Sequence, residues 1–400
     1  MKAVTSPGGC ATLALCGLLL AAAGARGQNA PARKSKLDLS QPYLLLATSR
    51  ISTLQKEANE AAAAGYRVLT GNMTGGGEPA LLMEKVARLP ETYAYEVVET
   101  YRDSAMQKDL DAAARQGFRP VPRAMWGRST QYLIVLEKPP GPIPDYSFRL
   151  LGTTLTGTLQ KELADAAEQG QRVAGLVMRR EDAGSMSSQH MVIIEKAAGG
   201  GDGPAGAGES KADARQRYRL LATERTSTMQ KELNESAAAG YHILAAARTS
   251  RTELAMLLEK SQLPTNYEYQ LVACARMATL EKELNEVAAK GFRLVPESVV
   301  AKRGTGGGWR GGLIGLATPV DLGQLDQFVA DEVTAVAKKV AAAEGRYRYL
   351  VLATERTSTM QKEISQAASE GFKPVAITGR PKEGNFIANV VTIMEKAPVR

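Results

Sequence analysis

The sequence predicts an α+β fold of six tandem β-α-β-β units, each a small sheet covered by one helix, with the units packed in pairs or triples. Three observations predict it. The twelve residues Leu-Ala-Thr-Glu-Arg-Thr-Ser-Thr-Met-Gln-Lys-Glu at 221–232 recur unchanged at 352–363. Aligned on that segment, units begin at Tyr43, Tyr95, Phe148, Tyr218, Tyr269 and Tyr349, and a glycine stands at one offset in all of them: Gly65, Gly117, Gly170, Gly240, Gly291 and Gly371. Five units close on Glu-Lys, at Glu84, Glu137, Glu195, Glu259 and Glu395 with the lysine that follows each. A register held this long marks internal repetition.

Before the first unit, residues 1–27 read as a signal peptide. Lys2 supplies a short basic region, residues 11–23 an apolar run, and Ala23, Ala25 and Gly27 a small-residue cleavage site. The run is too short for a permanent span, and no later stretch reaches the length needed for a transmembrane segment. Cleavage removes Lys2, Arg26, Cys10 and Cys16, so Cys274 is left as the lone thiol. The expected location is periplasmic or extracellular.

The fourth unit shows how each unit decodes. Residues 218–223 are a short aliphatic strand. Ser227 and Gln230 have the spacing of a capping box at a helix start. Met229, Leu233, Ser236, Ala237 and Gly240 fall on one helical face, and Gly240 is the left-handed residue that ends the helix. Residues 241–244 and 253–259 supply two further strands around a polar turn. A unit of this size buries little apolar surface alone, so isolated units should be marginal.

The boundaries follow: unit one at 43–85, unit two at 95–138, unit three at 148–196, a Gly-rich linker at 197–217, unit four at 218–260, unit five at 269–319 and unit six at 349–396. Units two and five share Gly-Phe-Arg-x-Val-Pro at 117–122 and 291–296, as if a three-unit block had been copied once. Cutting the linker should then release two soluble halves. Unit five lacks the closing Glu-Lys; Leu313 to Pro319 reads as its third strand. Residues 320–345 read as an extra amphipathic helix, because Leu322, Leu325, Val329, Val333, Val336 and Val340 repeat at three and four, with acids early and Lys338-Lys339 late.

Residues 267–272 (Tyr-Glu-Tyr-Gln-Leu-Val) and the run from Leu280 through Asn285, Gly291 and Phe292 to Val295 resemble the bacterial domain of unknown function numbered 4177. All six units are similar to it, Gln171 being the clearest departure where the family has an aromatic residue. The resemblance implies the β-α-β-β fold and carries no activity.

Composition restricts the chemistry. The chain has 400 residues, 50 basic against 42 acidic, two histidines and three cysteines. Neither His190 nor His242 has metal-ligand spacing, and no motif pairs either with a nucleophile. Residues 304–312 are glycine-rich but lack a phosphate-loop lysine and precede a strand. No basic run is interleaved with aromatics, so no nucleic acid is expected, and no cofactor or metal is called for.

Two features stand above this background. Arg50, Arg102, Arg225, Arg276 and Arg356 lie between the first strand and the helix in five units, Leu155 taking the place in unit three. The two tryptophans, Trp126 and Trp309, both fall after the second strand of units two and five. Arg102 with Trp126 and Arg276 with Trp309 therefore form a candidate site for an acidic glycan, by charge and stacking. An indole buried at a unit interface is the alternative. The expected function is a secreted, non-catalytic repeat protein that binds or scaffolds an envelope or extracellular partner, protein or acidic glycan. The alternative is an envelope-polymer hydrolase with a site assembled between units.

Overall fold

A computed structural model describes residues 37–86, 92–128, 131–142, 146–180, 188–196, 210–248, 253–261, 267–303, 331–340, 346–381 and 388–398. Unit one contains β1 (Tyr43–Ala47), α1 (Ile51–Ala63), β2 (Tyr66–Met73) and β3 (Pro79–Lys85). Unit two contains β4 (Ala94–Thr100), α2 (Asp103–Arg115), β5 (Arg119–Arg128) and β6 (Gln131–Lys138). Unit three contains β7 (Ser147–Thr153), α3 (Thr156–Glu168), β8 (Arg172–Arg180) and β9 (Ser188–Lys196). A short helix, α4 (Lys211–Arg215), precedes unit four: β10 (Tyr218–Thr223), α5 (Thr226–Ala238), β11 (Tyr241–Arg248) and β12 (Leu254–Lys260). Unit five has β13 (Tyr267–Cys274), α6 (Met277–Ala289), β14 (Arg293–Arg303) and β15 (Asp331–Val340). Unit six has β16 (Arg348–Thr354), α7 (Thr357–Ser369), β17 (Lys373–Pro381) and β18 (Ala388–Lys396).

The long helices form where the apolar spacing places them: α5 buries Met229, Leu233, Ser236 and Ala237. Gly240 and its five equivalents take φ between 75° and 89°, a left-handed conformation that costs glycine little, and each ends its helix. The capping box does not form. The N-cap of α5 is Arg225, which makes no side-chain cap bond, and Ser227 lies inside the helix. Gln230 has a different partner, described below.

Each unit contributes one three-stranded antiparallel sheet, in which the third strand lies between the first and the second. The central strands are buried along continuous runs, such as Pro79–Met83 and Leu254–Leu258. Burial on both faces erases the alternation that a half-exposed strand would show. The cause is the stacking order. Leu54, Ala58, Ala61 and Ala62 of α1 share one core with Leu44, Leu46 and Met83 of their own sheet and with Val97, Trp126, Leu133 and Val135 of the next. In the same way α5 lies in a core holding Tyr269, Val295 and Val336 of unit five. For α7 the next sheet is that of unit one: Met360, Ile364 and Ala367 pack with Tyr43, Ala80 and Leu82.

The contacts therefore do not stop at pairs or triples of units; they run round all six and close. Closure uses polar side chains of the helix at each step, a single glutamine at four of the six junctions. The first strand of every sheet is an edge strand, whose outward amides and carbonyls need partners. In α5, the Gln230 side chain donates to the Tyr269 carbonyl at 2.8 Å and accepts from the Leu271 amide at 2.6 Å. Gln107 does the same to Phe148 and Leu150, and Gln160 to Tyr218 and Leu220. Gln361 of α7 does it to Tyr43 (3.0 Å) and Leu45 (2.7 Å), joining unit six to unit one. In unit five Glu281 accepts from the Val351 amide, while Asn285 brackets Tyr349.

Unit five corrects two expectations. Residues 331–340 are not helix but the central strand β15, paired with β13 and β14. Val333, Val336 and Val340 satisfy a helical spacing by coincidence, and the run from Val333 to Ala337 has the continuous burial and β-branching of a two-sided strand. Its register places Lys338 opposite Tyr269, where the other sheets set a glutamate opposite the leading aromatic (Tyr43–Glu84, Tyr349–Glu395). The third strand of unit five thus starts well beyond Leu313–Pro319, residues that lie outside the described ones, as do 1–27, 197–209 and 320–330. No described helix is long and apolar enough to cross a membrane.

Glycines allow the second strands of adjacent units to approach. A Cβ on Gly379 of β17 would overlap the backbone of Met73 to Gly75 in unit one, whereas one on Gly157 of α3 would meet nothing. Gly379→Ala should therefore destabilise the protein by about 1–3 kcal/mol. Gly157→Ala should stabilise it by about 0.5–1 kcal/mol through helix propensity. Chemical denaturation of the two variants checks both signs.

Candidate functional site

First and second strands both run antiparallel to the third in every sheet, so they are parallel to each other. The turn before the helix and the hairpin after the second strand consequently share one end of each sheet. Helix–strand bonds extend this round the ring. Gln55 meets Val97 while Asn59 meets Tyr95, so β4 runs opposite to α1 and parallel to β1. The junction from α6 to β16 repeats this sense.

Arg102 and Arg276 are exposed N-cap residues in extended conformation, at (φ, ψ) of (−115°, 133°) and (−107°, 130°). Trp126 is not on the surface beside Arg102. It is 6% exposed and lies in the core between units one and two. Its close fit against Gly71 of β2 explains why that residue carries no side chain. An indole so enclosed offers no face to a sugar, and the stacking half of the predicted pair is lost in unit two. Trp309 lies outside the described residues. Arg102 and Arg276 belong to units three steps apart, and the pairing of Arg276 with Trp309 falls outside the described residues.

A constellation that the sequence reading missed lies where the six second strands meet. Thr70 and Asn72 of β2, Arg123 of β5, Leu176 of β8, Ala245 of β11, Glu297 of β14 and Ile377 of β17 line one cavity of about 70 Å³. Units two and five differ here from the rest. In four sheets the second strand shifts register by a single bulged residue, as between Val68 and Thr70, but β5 and β14 bow out over Pro120 to Met125 and Val295 to Val300.

The two bows carry Arg123 and Glu297. Arg123 Nε stands 3.7 Å from Glu297 Oε1, with the side chains 27% and 31% exposed, and Arg123 also donates to the Val375 carbonyl of unit six. Burial pushes the Arg123 guanidinium below its ordinary pKa, and the charge of Glu297 works against that shift. Enclosing the pair costs desolvation, so its contribution is selectivity for opposite charges across the axis.

A second charged arrangement joins neighbours. Arg67 donates two hydrogen bonds to Glu137 of unit two, at 2.9 and 3.0 Å, and its guanidinium lies 4.7 Å over the Tyr93 ring. Glu137 is 2% exposed and also accepts from the Tyr95 hydroxyl, which in turn accepts from the Val68 amide. Arg293, Glu395, Tyr349 and Leu294 repeat the relay between units five and six. The bonds to Glu137 and Glu395 raise the pKa of each arginine, and burial followed by the adjacent carboxylate raises those of both tyrosines.

The remaining reactive groups are enclosed. Burial pushes the Cys274 thiol up to about 12, with help from Glu283, so it is protonated at neutral pH. His190 is 3% exposed, and burial lowers its pKa, so it is neutral. Among the described residues no three His, Cys, Asp or Glu side chains gather as a metal site. No protein-family model matches the chain, and no curated protein matches it.

The axial pair makes a direct prediction. Arg123→Glu and Glu297→Arg should each destabilise the protein by placing like charges together. The double reversal should recover about 0.5–3 kcal/mol relative to the sum of the single effects. Denaturant unfolding of the four proteins measures this coupling.

Proposed function

We propose that the chain is a secreted, non-catalytic scaffold in which six β-α-β-β units, similar to the domain numbered 4177, form one closed ring that binds an acidic envelope or extracellular partner. The observation that carries this reading is the common end on which the helix starts lie. Arg50, Arg102, Arg225, Arg276 and Arg356 are exposed at the N-caps, and none makes a side-chain cap bond. An N-cap is where Asp, Ser or Asn stabilises a helix and where a cation faces the positive end of the dipole. Of those five helices, only α2 has an acid in its first turn. Five copies of an arginine that does nothing for its helix support a role toward an anionic partner, with affinity accumulated over repeated contacts. The inward surfaces are spent on closure.

The test is a panel of acidic and neutral polysaccharides, peptidoglycan included, titrated against the protein and against a variant with the five arginines changed to glutamine. The reading predicts saturable binding of an acidic member that weakens with salt, falls at least about tenfold in the variant, and leaves the polymer intact. Binding indifferent to the five arginines would remove the arginine-bearing end as the site. Shortened polymer chains would replace the scaffold with a hydrolase.

A further inference from the structure

We infer that the junction between units four and five is an acid-sensitive seam, unlike the junctions between units one and two and between units five and six, which carry permanent ion pairs. At three junctions a cation from the start of one unit's second strand acts on the closing glutamate of the next unit. Arg67 meets Glu137 and Arg293 meets Glu395, at 2.9 and 2.7 Å. Arg119 acts on Glu195 through charge. At the fourth position the cation is His242, and the glutamate it would meet in unit five is replaced by Lys338. Both halves of the ion pair change at the same junction.

The replacement is geometrically coherent. The Lys338 ammonium lies 4.6 Å over the Tyr267 ring, as Arg67 lies over Tyr93 and Arg293 over Tyr347, each at 4.7 Å. The cation over this aromatic thus comes from unit five, and the residue from unit four must be neutral. The charged groups around His242 are few. Glu259 of β12, in its own sheet, stands 3.7 Å from Nε2, and Lys338 of β15 acts on the imidazole from the next sheet. From β13, Glu268 pairs with Lys339 instead, and Arg293 of β14 is committed to Glu395. His242 Nδ1 is buried without a hydrogen-bond partner.

Protonation makes both ring nitrogens donors. One then faces Glu259, while the other is a buried donor without an acceptor, and the imidazolium lies near Lys338. Burial, opposed by Glu259 and reinforced by Lys338, holds the imidazole below its ordinary pKa. The sign follows. A histidine with a depressed folded pKa contributes stability that is fully present above the unfolded value of about 6.5, and that is lost as pH falls through the folded one.

Hydrogen exchange reads the seam locally. The Leu271 amide, bonded to Gln230, reports the junction between units four and five; the Leu294 amide, bonded to the Tyr349 hydroxyl, reports the next junction. Between about pH 7.5 and 5, with intrinsic rates divided out, Leu271 should lose protection relative to Leu294, because protonating His242 within the junction costs more than protonating it in the unfolded chain. His242→Gln should abolish the difference and His190→Gln should keep it, which isolates the effect because the chain has only two histidines. Lys338→Glu should reverse it, giving His242 an acid to meet and tightening the junction on acidification. Equal loss at both amides, or a difference that survives His242→Gln or vanishes in His190→Gln, overturns the inference.

Discussion

The unpaired edge of each first strand is the constraint on which the rest of the molecule depends. A three-stranded sheet with its third strand in the middle leaves two edges exposed, and an exposed edge is open to pairing with any other chain. The fold meets this need with a side chain. Gln230 and its equivalents present an amide to the next unit's strand, donating and accepting as a neighbouring backbone would. A helix can do this only if it lies against the following sheet as well as its own. The sharing of each helix between two sheets, the burial of both sheet faces and the marginality of an isolated unit all follow from that placement. Because Gln361 applies the same bonds to Tyr43 and Leu45, the series has no end.

Closing the series brings six second strands together and determines what fills the middle. Four pass with a single bulge. The other two, three steps apart, bow out of their ladders and bring Arg123 and Glu297 together. Opposite charges at equivalent positions of the two three-unit arcs mean that each arc complements the other better than it complements a copy of itself, where like charges would meet on the axis. With the centre so occupied, the exposed arginines lie at the end where the helices begin.

The repeat, the helix faces and the left-handed glycines were legible in the sequence because they are local. Met229, Leu233, Ser236 and Ala237 share a face whatever surrounds them. What was misread belongs to the neighbouring unit. Gln230 has the spacing of a capping residue, and only the next sheet shows that its partner is Leu271. Trp126 reads as a hairpin residue that either stacks on a sugar or is buried at a unit interface, and only unit one, which encloses it, decides between the two. Strand β15 was hidden because lysines replace its closing Glu-Lys and its valines fall at helical intervals. The Arg123–Glu297 pair had a visible signal in the shared motif of units two and five, whose next residues are oppositely charged. Knowing that they meet required knowing that the series closes with six.

Cleavage within the Gly-rich segment 199–208 tests closure most directly. A protease site engineered there separates the chain into two arcs that, in the closed ring, touch between units three and four, where Tyr218 and Leu257 join the core around α3, between units six and one, and at the centre through Arg123 and Glu297. The account predicts that the nicked protein stays one species of full size by native light scattering, and that it unfolds in a single transition. Two fragments that separate without denaturant, each folded, would contradict it and restore the view of two independent halves.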